Sequence, residues 1–95
     1  ELDIVVNLGM VKSGKLDLLE IDVKNVIAMT KGVVHKVIIE SGALTTSEIA
    51  DLCRIAVRAG AEFVKTSTGY GPRGASVDDV RAIRAAIGST CLIKA

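Results

Sequence analysis

A lysine inside a strand-like apolar run is the first chemical signal. Lys65 stands between Val64 and Thr66, in a run whose pattern predicts a buried strand, where an ammonium group has little structural justification. A desolvated lysine beside another cation loses its proton more easily, and the neutral amine is a nucleophile toward carbonyl carbon. Lys94, in the next strand-like run, is placed to be that second cation. Immediately after Lys65 comes Thr66-Ser67-Thr68-Gly69-Tyr70-Gly71-Pro72-Arg73-Gly74-Ala75-Ser76, a hydroxyl- and glycine-rich loop that leads into a helix start. Backbone N–H groups in such a loop suit a phosphate, and Arg73 adds charge. Glycine-rich connections are also common without any ligand, so the loop alone leaves both readings open.

Other residue types offer less. His35 is the only histidine and falls on the apolar side of its run, which predicts a packed residue and leaves a Ser/His/Asp triad unsupported. Cys53 and Cys91 have no metal-type spacing. They read as reduced thiols of a cytoplasmic protein, and no metal or other cofactor is expected. Phe63 and Tyr70 are too few aromatics for a base-stacking platform, and without a basic stripe no nucleic-acid partner is expected. No apolar run approaches the ~20 residues of a membrane span and no signal-peptide pattern is present, so no membrane partner is expected.

These residues must be held by something. Four β-rich runs recur at a near-constant interval of about thirty residues, a spacing typical of βα units: 2–7, 33–40, 62–68 and 91–94. Helical patterns fill the gaps. Leu16, Leu19, Val23, Val26 and Ile27 make the first apolar stripe; Ile49, Leu52, Cys53, Ala56 and Val57 make the second; Val80, Ile83 and Ile87 make the third. Thr45 with Glu48 and Ser76 with Asp79 predict helix starts, and Gly60 and Gly88 predict helix ends. A chain of 95 residues with 49% hydrophobic and 24% charged residues and a net charge of +1 is an ordered domain, not a disordered segment.

Crossovers of this length imply parallel strands, which fit either an open doubly wound sheet or part of a (βα)8 barrel. Side-chain alternation separates the two. Asp3 with Val5 and Asn7, Lys36 with Ile38 and Glu40, Phe63 with Lys65 and Ser67, and Leu92 with Lys94 share one strand face, and the opposite face is mostly apolar. A row of such charges needs a cavity, which a barrel interior provides near the C-terminal strand ends. The fold class read from the sequence is therefore α/β, parallel (βα) units forming about half of a (βα)8 TIM barrel. Ion pairing of Lys36 with Glu40 and of Asp3 with Lys94 in a polar barrel layer is the alternative to a working site.

Phe63-Val64-Lys65-Thr66-Ser67-Thr68-Gly69 resembles the Schiff-base strand of the class I deoxyribose-phosphate aldolases. Glu1–Asn7 resembles the family's fourth strand, Lys36–Glu40 its fifth, and Gly60-Ala61-Glu62-Phe63 the approach to the lysine, so the likeness covers strands four to seven. The resemblance implies that Lys65 forms the imine, that Lys94 is the second active-site lysine, and that Asp3 is the carboxylate of a proton relay. Gly69, Thr68 and Lys36 are the substrate- and phosphate-binding candidates. The implied reaction is reversible cleavage of 2-deoxy-D-ribose 5-phosphate to D-glyceraldehyde 3-phosphate and acetaldehyde. The small phosphorylated sugar or aldehyde is then the partner, and no metal takes part. The chain starts at Glu1 without Met and stops at Ala95, before the family's Gly-Gly pair, which reads as a single half-barrel domain, residues 1–95, cut from a longer aldolase; a non-catalytic, self-associating half-barrel is the rival. Half a barrel leaves two open edges and an uncovered inner face, so light scattering should give a homodimer or larger species. A monodisperse monomer at micromolar concentration would count against that expectation.

Overall fold

A computed structural model of the chain describes residues 1–69 and 74–95. Four strands, β1 (Leu2–Val5), β2 (His35–Ile38), β3 (Phe63–Lys65) and β4 (Leu92–Lys94), form one sheet in chain order. Every neighbouring pair is parallel. Helices α1 (Leu8–Lys12), α2 (Leu16–Met29), α3 (Thr46–Ala59) and α4 (Val77–Ile87) fill the connections, with a short 3-10 turn at Ser41–Ala43. Parallel strands in sequential order, with helix in each of the three connections, are an arc of a (βα)8 barrel, as the sequence pattern predicts.

Burial follows the period-two alternation in β1, β3 and β4, while the four residues of β2 are all buried. Val37 and Val64 are 1% and 0% exposed and face the helices. There they join Leu19 and Val23 of α2, Ile49, Leu52 and Ala56 of α3, and Ile83 and Ile87 of α4 in one core. The other face carries Asp3, Lys36, Phe63, Lys65 and Lys94. His35 is buried, as expected. Thr30 Oγ1 lies 2.7 Å from its Nε2, and its backbone N–H donates to Glu62 Oε2 at 2.6 Å.

The helix boundaries have local causes. Thr45 and Ser76 each form a full capping box, with Glu48 and Asp79 respectively, so orphan N–H groups at both starts are satisfied reciprocally. Gly60 ends α3 at φ 97°, a left-handed conformation that glycine adopts without strain. Glu20 links α2 to α3 through Arg58, and with Lys24 beside it the carboxyl falls to about 2.

Four sequence expectations need correction. The strands are shorter than their β-rich runs, because the residues beyond them turn away to begin connections; Asn7 leaves the sheet to cap α1, its side chain accepting from the Met10 N–H at 3.1 Å. The helix α1 lies where no periodicity pointed, since five residues are too few to show one. Val26 of the first stripe is 38% exposed, the core being already filled by Leu19 and Val23. Ile55, outside the expected stripe of α3, is buried.

Leu52, 1% exposed at the centre of this layer, tests the core. Leu52→Ala should lower unfolding stability by about 2–5 kcal/mol through the cavity it leaves, a large share of the roughly 5–15 kcal/mol available to a small domain. A urea midpoint unchanged within error would mean that the helix layer is not packed on the sheet in this way.

Candidate active site

The register builds the site. Asp3 pairs with Lys36, Lys36 with Phe63, and Phe63 with Leu92, giving one row across the sheet. The next row, and the last at the C-terminal edge, is Val5, Ile38, Lys65 and Lys94. Register partners in a parallel sheet point to the same side at a strand spacing of about 4.8 Å, so Lys65 and Lys94 stand side by side on the face opposite the helices. Three lysines from three adjacent strands thus converge there, Lys36 one row behind. The C-terminal strand ends are where barrels of this kind carry out their chemistry.

Lys36 is the best anchored of the three. It is 5% exposed, its Nζ donates to Glu1 Oε2 at 2.8 Å, and it lies 5.7 Å from the centroid of the Phe63 ring. The Glu1 hydrogen bond holds its pKa above the ordinary lysine value, with Lys94 and the charge of Asp3 acting in the same direction. Lys94 moves the other way. Its hydrogen bond with Lys36 and the charge of that ammonium depress its pKa, and the charge of Lys65 adds to the effect. The sequence put the depressed amine at Lys65 with Lys94 as its cause. Lys94 itself has a lowered pKa in the structure, with Lys36 as the first cause.

The two ion pairs weighed from the sequence do not form. Glu40 is not on the strand beside Lys36: β2 ends at Ile38, and Glu40 turns into a left-handed conformation, φ 54° and ψ 60°. Its Oε2 accepts instead from the Thr68 N–H at 3.2 Å and the Thr68 hydroxyl at 2.7 Å. A left-handed non-glycine residue carries strain on the order of 1–3 kcal/mol. Asp3, exposed on β1, makes no ion pair with Lys94 among the described residues; its field falls on Lys36. Glu1, which sequence reasoning passed over, takes the role of ion-pair partner, and only its register position near Lys36 could have indicated it.

Thr68 and Gly69 follow β3 beside the last row. Gly69 has φ 91°, and a Cβ at this position would meet nothing within 4 Å among the described residues, so on their side the backbone lies open at the rim. Arg73 and Tyr70 lie outside the described residues. Burial pushes the Cys53 thiol up to about 12 and raises Cys91 as well, so neither offers a thiolate near neutral pH. No group of three or more metal-ligating side chains occurs among the described residues, and no described helix is long and apolar enough to cross a membrane.

The comparisons with known proteins agree with this geometry. The deoxyribose-phosphate aldolase of Carboxydothermus hydrogenoformans is 46% identical over the whole chain. That of Thermus thermophilus is 51% identical over 84% of the chain. A solved structure described as QR15, an aldolase, superposes with a TM-score of 0.94 at 42% identity, covering 100% of this chain and 43% of that one. No protein-family model matches. The chain is therefore an arc of a (βα)8-barrel enzyme. It belongs to the deoxyribose-phosphate aldolase family, and it spans 43% of the Carboxydothermus protein and 36% of the Thermus protein.

The electrostatics of the row can be tested directly. Because Lys94 has a lowered pKa when folded, its ammonium opposes folding below that value, and stability rises as pH climbs from there toward the ordinary lysine range. Lys36→Met should return the Lys94 titration, followed by NMR of labelled lysine, toward the ordinary value and flatten that rise. An unmoved Lys94 titration would show that Lys36 is not the cause.

Proposed function

We propose that this chain is the central segment of a deoxyribose-phosphate aldolase-type lyase. The reaction is the reversible cleavage of 2-deoxy-D-ribose 5-phosphate to D-glyceraldehyde 3-phosphate and acetaldehyde. The observation that carries the proposal is the pairing of Lys65 with Lys94 in the last row of the sheet. In this reading the neutral amine of Lys65 attacks the aldehyde carbon of the open-chain sugar, and the carbinolamine loses water to give a protonated imine. That imine draws the electrons of the C2–C3 bond as it breaks. Glyceraldehyde 3-phosphate leaves once the sugar's 3-hydroxyl has lost a proton, and the enamine left on Lys65 gains a proton at carbon. Water then releases acetaldehyde and frees the amine.

Proton movement falls to Lys94, whose lowered pKa suits an amine that both gives and takes protons. Asp3, with a water, is the carboxylate of that relay. The phosphate is received where Thr68 and Gly69 follow β3, with the backbone of Gly69 as donor and Thr68 fixed beside it by Glu40. Lys36 sits one row behind and is tied to Glu1, a placement that suits the fixed cation tuning Lys94 better than a direct phosphate ligand. Residues 1–95 act as one half-barrel domain of the longer enzyme, in the cytoplasm.

A second reading also has an observation behind it. Val5 and Leu92, on the uncovered face, are 57% and 59% exposed, and β1 and β4 each pair on one side only. Taken alone the chain is then a self-associating half-barrel without a complete site. Borohydride reduction in the presence of acetaldehyde separates the readings. Wild type should give a stable adduct at Lys65, Lys65→Leu should give none, and Lys36→Leu should still give one at Lys65. An adduct mapped to Lys36 or Lys94 would overturn the nucleophile assignment, and unlabelled, folded, oligomeric protein would favour the scaffold.

A further inference from the structure

Two consecutive residues after β2 hold both ends of the loop that follows Lys65. At its beginning, the Ser41 N–H donates to the Thr66 carbonyl at 2.7 Å, and Glu40 Oε2 accepts from both the N–H and the hydroxyl of Thr68. At its far end, the Ser41 hydroxyl donates to Asp79 Oδ2 at 2.9 Å, and the same oxygen accepts from the Ser76 N–H at 3.2 Å. Asp79 is the residue that completes the capping box of α4. Glu40, Ser41 and Asp79 are 5%, 0% and 4% exposed, so these bonds are shielded from water and act in a low local dielectric.

The arrangement is costly in ways that a purely structural connection would avoid. Glu40 is the one non-glycine residue with positive φ among the described residues, and a glycine there would relieve the strain. Its second carboxylate oxygen, Oε1, is buried with no hydrogen-bond partner among the described residues, although buried acceptors are normally satisfied. Glycine has no carboxylate to hold Thr68, and that bond is what the strained conformation delivers: it lets the side chain of Glu40 reach the loop while the next residue reaches α4.

We propose that Glu40 is a positioning residue: with Ser41 it clamps the loop after Lys65 at both ends, and by taking both donors of Thr68 it fixes the adjoining backbone of Gly69 to receive the phosphate of the substrate. This rests on the aldolase reading above and adds a residue through which that reading selects phosphorylated over unphosphorylated sugar. Glu40 itself does not touch the substrate; it acts through Thr68.

The test is made in the full-length enzyme, comparing 2-deoxyribose 5-phosphate with 2-deoxyribose. In Glu40→Ala the preference for the phosphorylated sugar, as a ratio of kcat/KM values, should fall by about tenfold, chiefly through KM, since the lost contact serves binding in both ground and transition states. Glu40→Gln, which keeps an oxygen acceptor for Thr68, should restore most of the preference. Equal losses on both sugars, or Glu40→Gln as impaired as Glu40→Ala, would overturn the proposal. Should Glu40→Ala not fold, Thr68→Val removes the hydroxyl from the same bond and should shift the preference in the same direction; no shift there would also overturn it. Absence of both cleavage and imine in wild type would sink the aldolase reading and, with it, the phosphate half of the proposal. Hydrogen exchange at the Thr68 amide still decides the clamp in that case, because it should be faster in Glu40→Gln or Glu40→Ala than in wild type if the bond is weakened, and an unchanged rate in both would remove it.

Discussion

The dry outer face of the sheet governs the rest of the structure. Val37 and Val64 must lie under the helices, and the two-residue period of a strand then forces Lys36 and Lys65 to the other side. A slip of one residue in β3 would bury the Lys65 ammonium in the core and expose Val64. Unpaired burial of a charge costs far more than exposing one valine, so the hydrophobic layer sets the direction of the amines with a wide margin. Parallel register does the remaining work by placing Lys65 and Lys94 in one row.

Lys94 and Lys36, one row behind it, are unequal, and the inequality comes from their partners. Lys36 has a carboxylate at hydrogen-bond distance and keeps its charge; Lys94 has Lys36 and is depressed. A cluster of like charges thereby becomes one fixed cation and one amine with altered proton affinity. The same division of labour recurs in the loop, where Glu40 and Ser41 hold the chain and Thr68 and Gly69 are left at the rim.

Much of this was legible in the sequence because it rests on local signals. The apolar stripes of α2, α3 and α4, the capping pairs Thr45/Glu48 and Ser76/Asp79, the terminal glycines and the alternation in the strands each span a few residues. The lysine pair was legible for the same reason, since strand spacing alone aligned Lys65 with Lys94. What escaped depends on contacts between distant positions. Nothing near Glu40 announces a left-handed conformation, so alternation was carried two residues too far and gave it Lys36 as a partner. Glu1 escaped because its role exists only once β1 lies against β2. The ranking of the lysines escaped because it depends on which carboxylate reaches which ammonium.

The capping boxes and the glycine at the end of α3 have one more implication. The helices α3 and α4 carry their own starts, and α3 its own stop, written in the few residues at each boundary. These elements of the arc therefore take their limits from themselves, without instruction from whatever would complete the ring. Closure contributes strand partners for the open edges of β1 and β4 and a cover for the inner face. A barrel organised in this way is additive: each arc brings its own element boundaries, and a ring is reached by joining such arcs edge to edge.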